Sequence, residues 1–196
     1  MIKVKLKIIK ILIISALVIS IFLPVTHANT DLELLQIENS ANALVALQIL
    51  KGDEHGNLKL QDSVSRCEFT TLILRILGKE GEEDVNAIEN PFTDLDEKHW
   101  AYNNIIIATK YNLINGYEDK TFRPDNNVTF TEARAIIVRA LGYESQLEGN
   151  WPDNVINMSK RLGLDYNLNL PQDKEITRGE ASVLIYNALT IPLFAR

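Results

Sequence analysis

The chain has 196 residues, 46% of them hydrophobic, with 20 basic and 26 acidic side chains and a formal net charge of −6. Lys3, Lys5, Lys7 and Lys10 are the only charges before residue 29, so beyond residue 28 the balance is 16 basic to 26 acidic, net −10. That acidic excess excludes nucleic acid and an anionic membrane surface as partners, which both call for basic patches, and the single cysteine, Cys67, excludes an internal disulfide.

The N-terminus reads as a targeting segment. Four lysines precede an apolar run from Ile11 to Leu23, interrupted only by Ser15 and Ser20, and Thr26-His27-Ala28 sets small residues where a signal peptidase reads. Cleavage after Ala28 is expected, giving residues 1–28 as signal peptide and 29–196 as one domain. The run is short against the ~20 apolar residues of a membrane span. The rival reading is an uncleaved anchor whose effective length Lys10 extends by snorkelling. With no cysteine near the cleavage point, a lipoprotein anchor is not expected. An exported chain without disulfides suits the outside of a bacterium and must rely on core packing.

Residues 29–50 then read as a helix, with Leu34, Leu35, Ala41, Leu44, Val45, Leu47 and Leu50 as its stripe and Asn39-Ser40 as a candidate break. Lys51 to Asn57 is a turn, and Leu58 is expected to anchor the loop after it. At Ser65 the spacing S-x-x-E to Glu68 makes a capping box. Phe69, Leu72, Ile73, Ile76 and Leu77 follow as a helical face that ends at Gly78. Gly78 to Asn90 is a polar, acidic connector. Its Glu82, Glu83 and Asp84 lack the alternating spacing that wraps calcium, so a solvated face is expected.

Pro91-Phe92-Thr93-Asp94 and His99-Trp100-Ala101 open the next helix, whose face is Ala101, Ile105 and Ala108; Asp94 is expected to cap the turn before Trp100. A loop rich in turn formers (Gly116, Asp119, Pro124, Asp125, Asn126, Asn127) leads to a second box, Thr129 to Glu132. Ala133, Ile136, Ile137, Ala140 and Leu141 form the helix behind it, and Gly142 supplies the stop. After the connector Tyr143 to Asn150 come Trp151-Pro152-Asp153 and a stripe of Val155, Met158 and Leu162. The following loop is about two residues shorter, with Leu168, Leu170 and Pro171 filling in. A third box, Thr177 to Glu180, opens the last helix through Ala181, Leu184, Ile185, Ala188 and Leu189.

In each of these three stretches the β-branched residue before the cap (Val64, Val128, Ile176), the cap, the Glu and the closing Leu hold the same offsets, and Gly52 stands as far before Val64 as Gly116 does before Val128. One structural unit is therefore used three times: copy one over about 29–78, copy two over about 91–142 and copy three over about 150–191. No strand pattern occurs. The chain is read as mostly α, three helix–loop–helix units that must share a core because each alone buries too little.

Copy two, from Pro91 through His99-Trp100-Ala101, Asn115-Gly116-Tyr117, Thr121 to Asp125 and the T-x-x-E box, resembles the S-layer homology (SLH) domain, whose repeat reads F-x-D…H-W-A…G-I-I-x-G…F-x-P…T-R-A-E. Copies one and three are diverged but correct in order. Copy one lacks F-x-D and H-W-A, and copy three lacks the glycine turn and F-x-P. The resemblance implies a pseudo-threefold, three-pronged spindle with grooves between prongs. It also implies a non-catalytic module that anchors an exported protein by binding an acidic, often pyruvylated secondary cell-wall polysaccharide.

The helix starts at Ser65, Thr129 and Thr177 are expected to present free N–H groups that favour anions. Arg66 and Arg178 follow two of those caps, and a guanidinium there suits a carboxylate; the resemblance assigns that grip to the Arg of T-R-A-E. In copy two Phe130 replaces it, leaving at most two such sites. By the same resemblance Trp100 and Asp94 line the groove and Gly52 and Gly116 border the ligand; read as residues, both glycines are expected to supply positive φ. The alternative for the chain is a protein–protein module of the cell envelope with degraded grooves, with other envelope proteins as partners. No cofactor, metal site or catalytic residue is expected: H-E-x-x-H, G-x-S-x-G and P-loop patterns are absent. Cys67, at the Ala position of T-R-A-E, is read as a packed side chain.

Overall fold

The structure is a computed structural model that describes residues 31–81, 85 and 88–194. The expected signal peptide, 1–28, and the acidic run 82–84 lie outside the described residues. Two compact units divide the chain, Met1–Gln36 and Ile37–Arg196. Of the first, residues 31–36 are described and are helical.

The second unit contains α1 (37–46), α2 (Arg66–Ile76), α3 (Tyr102–Lys110), α4 (Phe130–Ala140), α5 (Asp153–Leu162) and α6 (Arg178–Ala188), with a 3₁₀ turn, Tyr143–Gln146, after α4. Among the described residues there is no strand, only isolated bridges. Asn39-Ser40 does not break α1: Ser40 is buried within it.

Local physics explains the ends of these helices. All three capping boxes close, each Ser or Thr accepting from the N–H of its Glu and each Glu accepting from the N–H of the cap. The first helix of each copy ends by one device. Gln48, Asn112 and Gly163 take left-handed backbone (φ 60, 55 and 76). The next N–H then reaches back, Ile49 to Leu44 O, Leu113 to Ala108 O and Leu164 to Ser159 O, at 2.9, 2.9 and 3.0 Å. The side chains of Ile49, Leu113 and Leu164 drop into the core behind that turn.

The copies are tied by their backbones. Val64 N–H donates to Ile176 O, Ile176 N–H to Val128 O, and Val128 N–H to Val64 O, at 3.1, 3.1 and 3.0 Å, so three equivalent residues close a ring. All three side chains are fully buried. Each second helix then starts against a neighbouring loop. Arg66 and Cys67 N–H donate to Asn126 O and Pro124 O, Phe130 and Thr131 to Lys174 O and Gln172 O, Arg178 and Gly179 to Asp62 O and Leu60 O.

The expectation of free N–H groups at the helix starts is therefore overturned. The first two donors are consumed by loop carbonyls and the third by the cap side chain, so no anion is needed to satisfy them. Around this ring one apolar cluster holds Phe69, Phe122, Phe130, Leu44, Leu74, Ile105, Ile106, Ile137 and Leu164 with no exposed surface to speak of. Each such side chain contributes about 1.5–3 kcal/mol of burial, and it draws on α1 through α6. That is why no single copy could hold its own shape.

Candidate functional site

The first residue of α2 points its side chain out of its own copy and into the loop of copy two. Arg66 is 4% exposed. Its Nε donates to Phe122 O (2.9 Å), its Nη2 to Asn115 O (3.4 Å), and its Nη1 lies 3.2 Å from Glu132 Oε1. The guanidinium also rests on the rings of Tyr117 and Phe122, 4.8 and 4.7 Å from their centroids. Arg178 repeats this pattern one copy on: Nε to Leu58 O (2.8 Å), Nη2 to Lys51 O (3.0 Å) and Nη1 3.6 Å from Glu68. Leu58 thus does anchor its loop, as the counterpart of Phe122. Both arginines clamp one copy to the next.

The third junction shows what the clamp requires. The loop of copy three is the short one and lacks the glycine turn and F-x-P whose carbonyls Arg66 uses, and here Phe130 stands in the arginine position, fully buried. One turn later Arg134 lays its guanidinium 3.5 Å from the centre of the Phe130 ring. It pairs bidentately with Asp165 of copy three, Nε to Oδ1 at 3.0 Å and Nη2 to Oδ2 at 2.6 Å. Glu180, deprived of the arginine its counterparts meet, pairs with Lys174 instead.

At the Arg66 junction the loop and helix leave a cavity of about 690 Å³. Arg66, Asn115, Gly116, Tyr117, Arg123, Glu132, Arg139 and Trp151 are among its walls. Tyr117 Oη donates to Glu132 Oε1 at 2.6 Å, and Arg123 lies 4.0 Å from the centre of the Tyr117 ring while holding Asp119 at 2.9 Å. Hydrogen bonds from Thr121 and Arg123 pull the Asp119 carboxyl down to about 2. The site is thus a run of ionised pairs and hydroxyl or amide groups beside aromatic faces, able to offer donors and acceptors to hydroxyl-rich ligands.

Of the six residues expected from sequence, Arg66 and Gly116 line this cavity; Arg178, Gly52, Asp94 and Trp100 do not. Asp94 does not cap the turn before Trp100. Its two carboxylate oxygens accept from Phe122 N–H (2.7 Å) and Arg123 N–H (2.8 Å), 28 and 29 residues away, and so hold the F-x-P loop in place; Asp96 takes the turn, through Lys98 N–H and His99 N–H. Trp100 is 61% exposed and stacks on His99 outside the cavity.

The two glycines serve close approach, not positive φ, which falls on Lys59, Lys120 and Arg123 instead. A Cβ on Gly116 would lie 2.6 Å from Phe92 Cε1 and 2.8 Å from Thr121 O, and one on Gly52 2.6 Å from the Gly56 carbonyl. Gly116→Ala is expected to destabilise by about 2 kcal/mol, because a backbone oxygen has nowhere to go; a urea midpoint equal to wild type would refute the contact.

Tyr117, Arg123, Arg139 and Trp151 were not singled out as site residues by their sequence. Their shared signal is faint: Trp151 is a tryptophan where copy two has the buried Phe92, and it is 54% exposed.

A second cluster sits at the same junction. Cys67 Sγ, a His99 ring nitrogen and an Asp125 carboxylate oxygen lie within 4.8 Å of one another. His99 Nδ1 accepts Ala101 N–H (3.2 Å), which leaves the proton on Nε2, 3.2 Å from Asp125. A metal at Nε2 would have to displace that proton and turn an N–H against Ala101. Burial pushes the Cys67 thiol up to about 11 despite its contact with Ser65, so it packs as a small hydrophobe.

Burial opposes ionisation of Glu132, but the Thr129 N–H, the Tyr117 hydroxyl and Arg66 outweigh it and hold its pKa below the ordinary 4.5. A carboxyl depressed in the folded state contributes stability in full above its unfolded pKa and loses it as pH falls through the folded one. The urea midpoint is therefore expected to drop as pH is lowered below about 4.5, and Glu132→Gln to flatten that drop while lowering the midpoint at pH 7. An unchanged pH profile in the variant would refute the linkage.

The segment that builds both the cavity floor and the box, residues 91–133, matches the family model for the S-layer homology domain. The chain carries an S-layer homology domain. SLH domains are non-catalytic cell-wall anchoring modules, and the family places this chain at the bacterial cell surface. The chain is 32% identical over 157 residues to the middle cell wall protein of Brevibacillus brevis, covering 80% of this chain and 15% of that protein. It is 31% identical over 157 residues to the surface layer protein of Brevibacillus choshinensis, covering 80% and 14%. It is 30% identical over 99 residues to the cellulosome-anchoring protein of Acetivibrio thermocellus, covering 50% and 22%. The chain thus spans under a quarter of the length of each of these relatives.

Proposed function

We propose that the Arg66 junction binds an acidic secondary cell-wall polysaccharide, with a pyruvylated sugar as one form of the acid, and that this contact holds the protein on the wall. The observation that carries the reading is the cavity itself. Arg66, Arg123 and Arg139 stand in it beside Tyr117 and the exposed Trp151, the combination of planar donors and aromatic faces that suits an acidic sugar. The closed backbone ring of Val64, Val128 and Ile176 supports the three-pronged arrangement that the family resemblance implies.

The Arg178 junction has the same clamp but a different floor. Asp53 stands where copy two has Tyr117 and spends its carboxylate on the N–H groups of His55 and Asn57. One aromatic-lined cleft, not two, is therefore the proposed site. The test is sedimentation of the full chain with purified Gram-positive cell walls, before and after their secondary polysaccharide is stripped. Binding lost on stripping supports the reading. A folded protein that fails to sediment with native walls sinks it, and binding that survives stripping moves the partner to peptidoglycan or envelope protein.

A further inference from the structure

The three guanidiniums in the cleft are not equally available. Arg66 is buried and uses all three nitrogens on Phe122, Asn115 and Glu132. Arg123 gives Nε to Thr121 and Nη2 to Asp119; its Nη1 has no hydrogen bond among the described residues, but its guanidinium is laid against the Tyr117 ring, 4.0 Å from the centroid, and paired with a carboxylate of its own loop. Arg139, in the last turn of α4, gives Nε to Glu144 Oε1 (3.0 Å). Its Nη2 reaches the Asn115 amide oxygen (3.2 Å) in the orientation that also lets the amide nitrogen donate to Ile114 O. Its Nη1 has no hydrogen bond among the described residues, and its carboxylate partner is 42% exposed, so that pair is readily exchanged.

The equivalent arginine of copy one is spent. Arg75 binds Glu80 through both Nε and Nη2, at 2.8 and 3.0 Å, and Ile49 O through Nη1. Copy three has Asn187 at this position, with its amide on Leu164 O and Tyr166 O. Of these three positions, then, only that of copy two carries a guanidinium with donors to spare, and there it shares the cleft with a half-exposed tryptophan.

We infer that Arg139, not the motif arginine Arg66, reads the carboxylate of the ligand, and that Trp151 supplies the face on which its sugar ring stacks. This rests on the polysaccharide reading above and assigns its specificity. Arg66 shapes the wall of the cleft; Arg139, which lines it, meets the charge by exchanging Glu144 for the ligand acid.

The experiment measures affinity of the full chain for isolated wall polysaccharide, native and after carbodiimide–borohydride reduction of its carboxyl groups. Arg139→Gln is expected to bind the native polymer about 10- to 100-fold more weakly, the loss of one charge-assisted contact, and to match wild type on the reduced polymer. Trp151→Ala should weaken binding to both about 10-fold. Glu144→Gln, a surface change that leaves the core alone, should tighten binding to the native polymer about 2- to 5-fold by releasing Arg139, with no effect on the reduced one. Equal losses on both polymers for Arg139→Gln, or no gain for Glu144→Gln, would overturn the assignment while leaving the anchor reading intact. Wild type that fails to bind either polymer would overturn both.

Discussion

Replacing Arg66 by methionine is expected to destabilise the protein by about 3–5 kcal/mol, a large part of the ~5–15 kcal/mol that holds a domain folded. Methionine keeps most of the apolar stem, so the loss reports the guanidinium. Without it the Glu132 carboxylate, 19% exposed, loses its cation and keeps only the Thr129 N–H and the Tyr117 hydroxyl, and the carbonyls of Phe122 and Asn115 lose their donor inside a closed junction. Arg178→Met removes the same motif residue at a wetter place: the Arg178 side chain is 14% exposed, its partner Glu68 38%, and the pair is longer at 3.6 Å. Solvent screening brings that cost to about 1–2 kcal/mol. Urea unfolding at pH 7, followed by far-ultraviolet circular dichroism, separates them. Equal costs would show that Arg66 is not the tighter clamp. The difference also bears on binding work, since an Arg66→Ala variant that loses wall affinity has lost stability as well as a cation.

Phe130→Arg would restore the family's arginine in copy two, and it is expected to be among the most damaging changes in the chain, at about 3 kcal/mol or more. Phe130 is fully buried, and the ring carries the Arg134 guanidinium at 3.5 Å. A second guanidinium would arrive beside the first, facing a loop without the two carbonyls that receive Arg66 and Arg178. Arg134 is already short of acceptors: its Nη1 has no hydrogen-bond partner among the described residues although the side chain is buried. The double variant Phe130→Arg/Arg134→Leu should recover part of the loss by removing the like charge, and a cycle of the two singles and the double measures that coupling. A Phe130→Arg protein as stable as wild type would show that the short loop can supply the missing acceptors.

These two positions show where sequence reasoning stops. The T-R-A-E spacing paired Arg66 with Arg178, marked Phe130 as the break, and read the pair as a grip on a ligand acid. It could not show that the role is a clamp on the neighbouring copy, because the acceptors of Arg66 lie at Asn115, Phe122 and Glu132, some fifty or more residues on. Asp94 is a similar case. A carboxylate before a turn reads as a local cap, yet its partners are the N–H groups of Phe122 and Arg123. Gly52 and Gly116 read as turn glycines with positive φ, whereas the side chains excluded there are kept out by Gly56, Phe92 and Thr121.

What the sequence alone determined was everything governed by neighbours within one or two turns. The three boxes at Ser65, Thr129 and Thr177, the stops at Gly78 and Gly142 and the apolar faces of α2, α4 and α6 follow from hydrogen bonds and side-chain spacing over three to five residues, and they formed except at Leu189, which closes the last face in the sequence but is 39% exposed. The repeat itself was legible for the same reason, since one local pattern written three times needs no tertiary knowledge to be recognised. Only the tertiary structure decided the rest: that the helix-start N–H groups are consumed by loop carbonyls, that Val64, Val128 and Ile176 close a ring, and that Arg139, Tyr117 and Trp151 meet in one cleft. Those contacts join residues from different copies. Which donor finds which acceptor there depends on how three loops of unequal length pack around a shared core, and no spacing along the chain encodes that distance.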